Sequence, residues 1–116
     1  PHRRGLAYVL FDAQGRVAVE TRPEKGLLGG MLGLPTSDWT IEDPSGPPRL
    51  PADWRMAGAV EHVFTHFSLT LTVLTAQGQT PHADWRWMPV SEARAALPTV
   101  FAKALDRAFV EPDLFL

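Results

Sequence analysis

The chain opens with alternation. Residues 5–11 (GLAYVLF) form an apolar run rich in aromatic and β-branched side chains, and residues 16–21 alternate Val17 and Val19 with Arg16, Ala18 and Glu20. A half-buried strand produces such a period of two, and the Asp12-Ala13-Gln14-Gly15 segment between the runs has the chemistry of a turn. A β-hairpin is expected. Residues 22–33 then hold four glycines, which permit close backbone approach, so an ordered loop is expected to lead into a short strand around residues 31–34. Prolines at 35, 44, 47, 48 and 51 forbid a long helix after Thr40 and predict an irregular excursion over residues 35–51.

Strand character returns over residues 57–76. Val60, His62, Phe64 and His66 share one parity, whereas Phe67, Leu69, Leu71 and Val73 share the other. The switch near Thr65-His66 predicts a bulge or tight turn between two strands. Residues 84–88 (DWRWM) read as a last strand, followed by a short helix over residues 91–96 and a longer one over 98–109. In the longer helix Phe101, Leu105 and Ala108 fall on one face, with Leu97 and Ala104 nearby and Lys103 and Arg107 opposite. That face is expected to cover the sheet.

Composition narrows the picture. A length of 116 residues, against a guide of roughly 150 per domain, predicts one domain over residues 1–116. With 45% hydrophobic and 21% charged residues the chain has globular rather than disordered character, and eleven prolines and nine glycines disfavour a helical bundle. Zero cysteines exclude disulfides, thiolate metal sites and cysteine nucleophiles within the chain. The net charge of -2 argues against strong autonomous phosphate binding, so any affinity for nucleic acid has to be local or borrowed from a neighbour. No apolar run approaches the roughly 20 residues of a membrane span, and the start lacks a signal-peptide core. We therefore expect no membrane partner and no export, and the missing initial methionine is consistent with excision from a longer protein.

Candidate chemistry is sparse. His62 and His66 have a spacing that suits zinc on a helix, but in extended chain they stand some 13 Å apart at about 3.3 Å per residue. No metal site is expected. His2 and His82 read as surface residues, and no G-x-S-x-G elbow is present. Trp85 and Trp87 read as packing residues, while Trp39 and Trp54 bracket the excursion and are expected to pin it to the body.

The order of elements resembles the Nudix fold, which implies an α+β architecture: a mixed, largely antiparallel sheet with C-terminal helices and here a long Pro-rich loop. Nudix hydrolases carry a box in which a glycine is followed six positions later by Glu, with further carboxylates on a helix to hold Mg²⁺. Gly30 is followed by Thr36, Gly29 by Pro35 and Gly33 by Trp39, so the box is absent. Asp38, Glu42, Asp43 and Asp53 are the local acids, and the prolines keep them off one helical face. No catalytic residue is assigned.

Two stretches go further. Residues 22–35 (RPEKGLLGGMLGLP) resemble the R-P-x-x-G-L-x-G-G-x-x-x-x-P segment of the C-terminal domain of adenine DNA glycosylases of the MutY family. Residues 62–69 (HVFTHFSL) are similar to that domain's H-x-F-S-H-x-x-L motif, and residues 96–105 to its terminal helix after Leu-Pro. The resemblance implies a non-catalytic domain that senses 8-oxoguanine opposite adenine in double-stranded DNA, with the catalytic carboxylates and a 4Fe-4S cluster on a separate catalytic domain of the same parent chain. No cofactor is implied for this chain, and the implied location is the cytoplasm, with the nucleoid. Thr65 stands where the family has a serine that reads the oxidised base, Phe64 where an apolar residue presses into the base stack, and His66 where a histidine supports the loop or a phosphate. Arg22 and Lys25 are further candidates to face DNA. Two other readings stay open: a divergent Nudix hydrolase of oxidised nucleotides, and a protein-interaction module that docks through residues 35–51.

Overall fold

The structure is a computed structural model that describes residues 1–44 and 50–109. Its elements are β1 (His2–Phe11), β2 (Arg16–Thr21), β3 (Leu32–Gly33), β4 (Arg55–Val63), β5 (Ser68–Gln77), β6 (Arg86–Pro89), α1 (Val90–Ala96) and α2 (Thr99–Ala108). The sheet runs in the order β3-β2-β1-β5-β4, with β6 added alongside β2. All pairings are antiparallel except β1 with β5, which run parallel from His2↔Ser68 to Phe11↔Gln77. The sheet is therefore mixed, as expected for an α+β chain.

Local alternation predicted the strands but not all their partners. The first turn is real, with Asp12 N–H donating to the Arg16 carbonyl at 3.0 Å, yet β1 and β2 pair in register only at Phe11↔Val17. Most of β1 is instead flanked by β5 and by the start of the excursion. Arg4 and Thr40 exchange backbone hydrogen bonds, Tyr8 N–H donates to Pro35, and Ser37 N–H donates to Leu6. The first third of the excursion carries no regular element, as expected, but is fastened to β1 by the isolated bridges Arg4↔Thr40 and Ala7↔Thr36. Its prolines at 47 and 48 lie outside the described residues.

The sheet buries two apolar faces. On one side α2 lays Phe101, Leu105 and Ala108 over Leu69, Leu71 and Val73 of β5, as the helical periodicity predicts. On the other side Tyr8, Leu10, Ala18 and Ala76 are covered by Trp85 with Trp54 and Trp87. The two tryptophans bracketing the excursion separate accordingly: Trp39 packs on the helix side and Trp54 on the opposite side, where its indole N–H reaches the Leu50 carbonyl at 2.8 Å. The excursion is pinned to both faces.

The glycine-rich loop is ordered by its own backbone. Arg22 N–H donates to Met31, and Gly30 N–H to Arg22 and Pro23, so the chain folds back on itself. A Cβ at residue 29 would collide with the Glu24 carbonyl, which is why glycine is required there. Two histidines depart from a plain surface reading. His2 bridges Ser68 Oγ at 2.7 Å and Thr70 Oγ1 at 2.8 Å, because the parallel register sets β1 beside β5. His82 packs against Trp85 with centroids 5.6 Å apart, and its Nδ1 accepts from Asp84 N–H. Among the described residues no helix is long and apolar enough to cross a membrane.

A candidate recognition turn on an aromatic base

The parity switch seen in sequence is a tight turn. β4 ends at Val63, β5 begins at Ser68, and Phe64 N–H donates to the Phe67 carbonyl at 2.8 Å. Thr65 and His66 form the exposed tip. Neither side chain hydrogen-bonds to any described residue, so the Thr65 hydroxyl and both His66 ring nitrogens are open to solvent or a ligand.

Beneath the tip lies an aromatic cluster. Phe64 is half-buried and stacks on Trp39, with centroids 6.0 Å apart and planes 24° from parallel, and it lies 5.0 Å from Phe67. Trp39 in turn meets Phe67 and the fully buried Phe101 of α2, each at 6.4 Å. Ring pairs in such tilted and offset arrangements add about 0.5–1.5 kcal/mol each beyond the area they bury. Trp39 seats against the backbone of β1, where a Cβ at Gly5 would stand 2.7 Å from its Cδ1. The turn is therefore tied to the helix and to the central strand through one indole. Phe64 does not stand free at the tip; its inner face is held while part of the ring stays exposed.

A second support comes from α2. Lys103 Nζ donates to the Glu61 carbonyl at 3.0 Å and approaches His62 Nδ1 at 3.3 Å. His62 meets Phe64 edge-on at 4.7 Å. Burial and then the neighbouring Lys103 ammonium hold the His62 imidazole below the usual histidine range, which favours the neutral ring with Nδ1 facing the Lys103 donor. His62 and His66, candidates for zinc by spacing alone, thus have different surroundings.

The basic candidates separate too. Arg22 is half-buried, its guanidinium 4.7 Å from the centre of Trp39 and 5.4 Å from that of Phe101, with Nε donating to Leu27 at 3.3 Å. Burial among the rings lowers its pKa, and Glu20 opposes that shift. Lys25 is exposed in the glycine-rich loop. A cleft of about 800 Å³ joins Arg22, Trp39 and Phe67 with Arg3 and Arg86. Sequence reasoning missed Trp39, Phe67 and Arg3 as parts of the site. Their only sequence signal was that each is an aromatic or a cation, since a strand pairing and a loop return bring them together.

Among the described residues the acids do not gather into a cradle for Mg²⁺. Asp43 is engaged by Arg4 at 2.6 Å, and among the described residues no group of three or more His, Asp or Glu is placed to hold a metal ion.

Residues 6–107 match the NUDIX domain family, and the chain belongs to it. Among solved structures it is similar to the C-terminal domain of mouse MUTYH, crystallised with human PCNA: 26% identity, TM-score 0.67, covering 90% of this chain and 86% of that one. It is also similar to the MutT protein of Methanosarcina mazei Go1 (14% identity, TM-score 0.71, 93% of each chain). The NUDIX domain of Shewanella oneidensis NrtR, solved with ADP ribose, is a third such structure (15% identity, TM-score 0.68, 93% of this chain and 86% of that one). The last two likenesses concern the fold alone. No curated protein matches the chain.

Proposed function

We propose that this NUDIX domain is the non-catalytic lesion sensor of an adenine DNA glycosylase and reads 8-oxoguanine opposite adenine through the β4–β5 turn. The observation that carries this reading is the exposed Thr65-His66 tip with unengaged hydrogen-bonding groups, held on an aromatic base. Oxidation at C8 turns guanine N7 from an acceptor into an N–H donor and adds a carbonyl oxygen. The reader then needs an acceptor for N7–H and a donor for O8, and a hydroxyl with a neighbouring backbone N–H supplies both. Thr65 fills that role, with a methyl group that the family serine lacks and that stiffens χ1. Phe64 offers its exposed edge to the base stack, and His66 faces a phosphate. Arg22 and Lys25 lie on the DNA-facing side.

The likeness to the mouse MUTYH C-terminal domain supports the reading, as do the motifs at residues 22–35 and 62–69. The parent reaction, hydrolysis of the N-glycosidic bond of a flipped adenine, belongs to a separate catalytic domain with its 4Fe-4S cluster. Removing residues 1–116 from the parent glycosylase is expected to leave adenine excision from G:A largely intact while the preference for 8-oxoguanine:A disappears. Incubating the chain with Mg²⁺ and 8-oxo-dGTP is expected to release no pyrophosphate; turnover there would replace this proposal with a hydrolase.

A further inference from the structure

A chain with a net charge of -2 meets DNA only where cations gather. The cleft beside the β4–β5 turn gathers three: Arg3, Arg22 and Arg86 line it, with Phe67 at the foot of the turn. Two of these guanidiniums are seated alike. Arg3 lies 4.8 Å from the centre of the Phe67 ring and Arg22 lies 4.7 Å from that of Trp39, and the two rings are 6.4 Å apart. A guanidinium held over a ring face is orientated at little entropic cost and keeps its in-plane N–H groups for another partner.

Those N–H groups are largely unused. The exposed Arg3 side chain makes no hydrogen bond or ion pair among the described residues, whereas that of its neighbour Arg4 is engaged by Asp43. Arg22 directs Nε to Leu27 and keeps both terminal nitrogens. Arg86 is tied to Thr21 Oγ1 at 3.3 Å.

We propose that Arg3 and Arg22 form a seat for one backbone phosphate of the DNA strand that the β4–β5 turn reads, an inference that rests on the sensor reading above. Asp38 and Asp84 line the same cleft and limit the negative charge it accepts, which favours a single phosphodiester over a polyphosphate. Base reading and phosphate holding are then divided between neighbouring parts of one surface. Thr65 discriminates, and the arginine pair sets the register of the strand.

The test uses the full-length parent protein and duplexes carrying 8-oxoguanine or guanine opposite an uncleavable adenosine analogue, with binding measured by anisotropy over a salt series. Arg3→Gln, an exposed change that leaves the fold intact, is expected to weaken binding to both duplexes equally, about three- to tenfold. It lowers the slope of log K against log salt by about one. Arg3→Lys restores the slope and only part of the affinity, because the point charge survives and the flat stacked fork does not. An unchanged slope in Arg3→Gln overturns the proposal, as does Arg3-dependent binding of 8-oxo-dGTP with DNA binding unaltered. If Thr65→Ala leaves discrimination untouched while Arg3→Gln still lowers the slope, the lesion-reading role fails and the phosphate seat stands.

Discussion

The β1–β2 and β4–β5 turns are built in opposite ways. At the β1–β2 turn, Asp12 is buried and its carboxylate accepts from the Gln14 and Arg16 amides, both at 2.9 Å, and from Arg16 Nε at 2.5 Å. Arg16 also donates to Gln14 Oε1 at 2.9 Å, and both Asp12 carboxylate oxygens find their partners inside the turn. At the β4–β5 turn the polar side chains Thr65 and His66 point outward with none among the described residues, and the hold comes from rings underneath. A turn that satisfies itself is structural, whereas one that is braced from below keeps its polar atoms available. The contrast is what supports the proposal that recognition falls to the second turn.

The comparison breaks most visibly if the brace is removed. Trp39→Ala is expected to cost about 2–4 kcal/mol in chemical denaturation, since a large ring at the junction of β1, α2 and the turn is lost, and to blunt lesion discrimination in the parent protein. Next comes Thr65→Ala, which removes a hydroxyl with no internal partner. Stability is expected to stay within about 0.5 kcal/mol, while discrimination falls by about 1–3 kcal/mol, or roughly 5- to 150-fold.

Asp12→Asn should do the reverse. Burial raises the Asp12 pKa, but the hydrogen bonds from Arg16 and Gln14 and the Arg16 charge outweigh it, leaving the group below its ordinary 3.8. A depressed carboxylate stabilises the fold above its unfolded-state pKa, and that contribution is lost as pH falls through the folded value. Thermal midpoints of the native chain are therefore expected to drop below about pH 4. Those of Asp12→Asn should be lower at pH 7 but flatter across that acid range, with discrimination unaltered. The smallest effect is expected from Thr65→Ser, which keeps the hydroxyl and frees χ1: a change in discrimination below about threefold.

Much of this was legible in the residues. The parity switch at Thr65-His66 marked the turn, and the face of Phe101, Leu105 and Ala108 marked how α2 lies on the sheet. Alternation shows which side of a strand is buried but not which strand lies beside it, so the parallel β1–β5 pairing and its His2 bridge to Ser68 and Thr70 were not readable. The same holds for the site. Thr65 and His66 announce themselves by motif, whereas Trp39 joins them because residues 35–40 return along β1, and Arg3 because β1 pairs with β5. Proline content predicted an irregular path there, yet the excursion's first residues still bond to β1.

The proposed assignment of recognition to the β4–β5 turn is tested most directly by single-turnover adenine excision from 8-oxoguanine:A and G:A duplexes, comparing the parent protein with its Thr65→Ala variant. A rate ratio that collapses toward that of G:A, in a variant of unchanged thermal stability, is the expected result. Equal ratios in the variant and the native protein would contradict it.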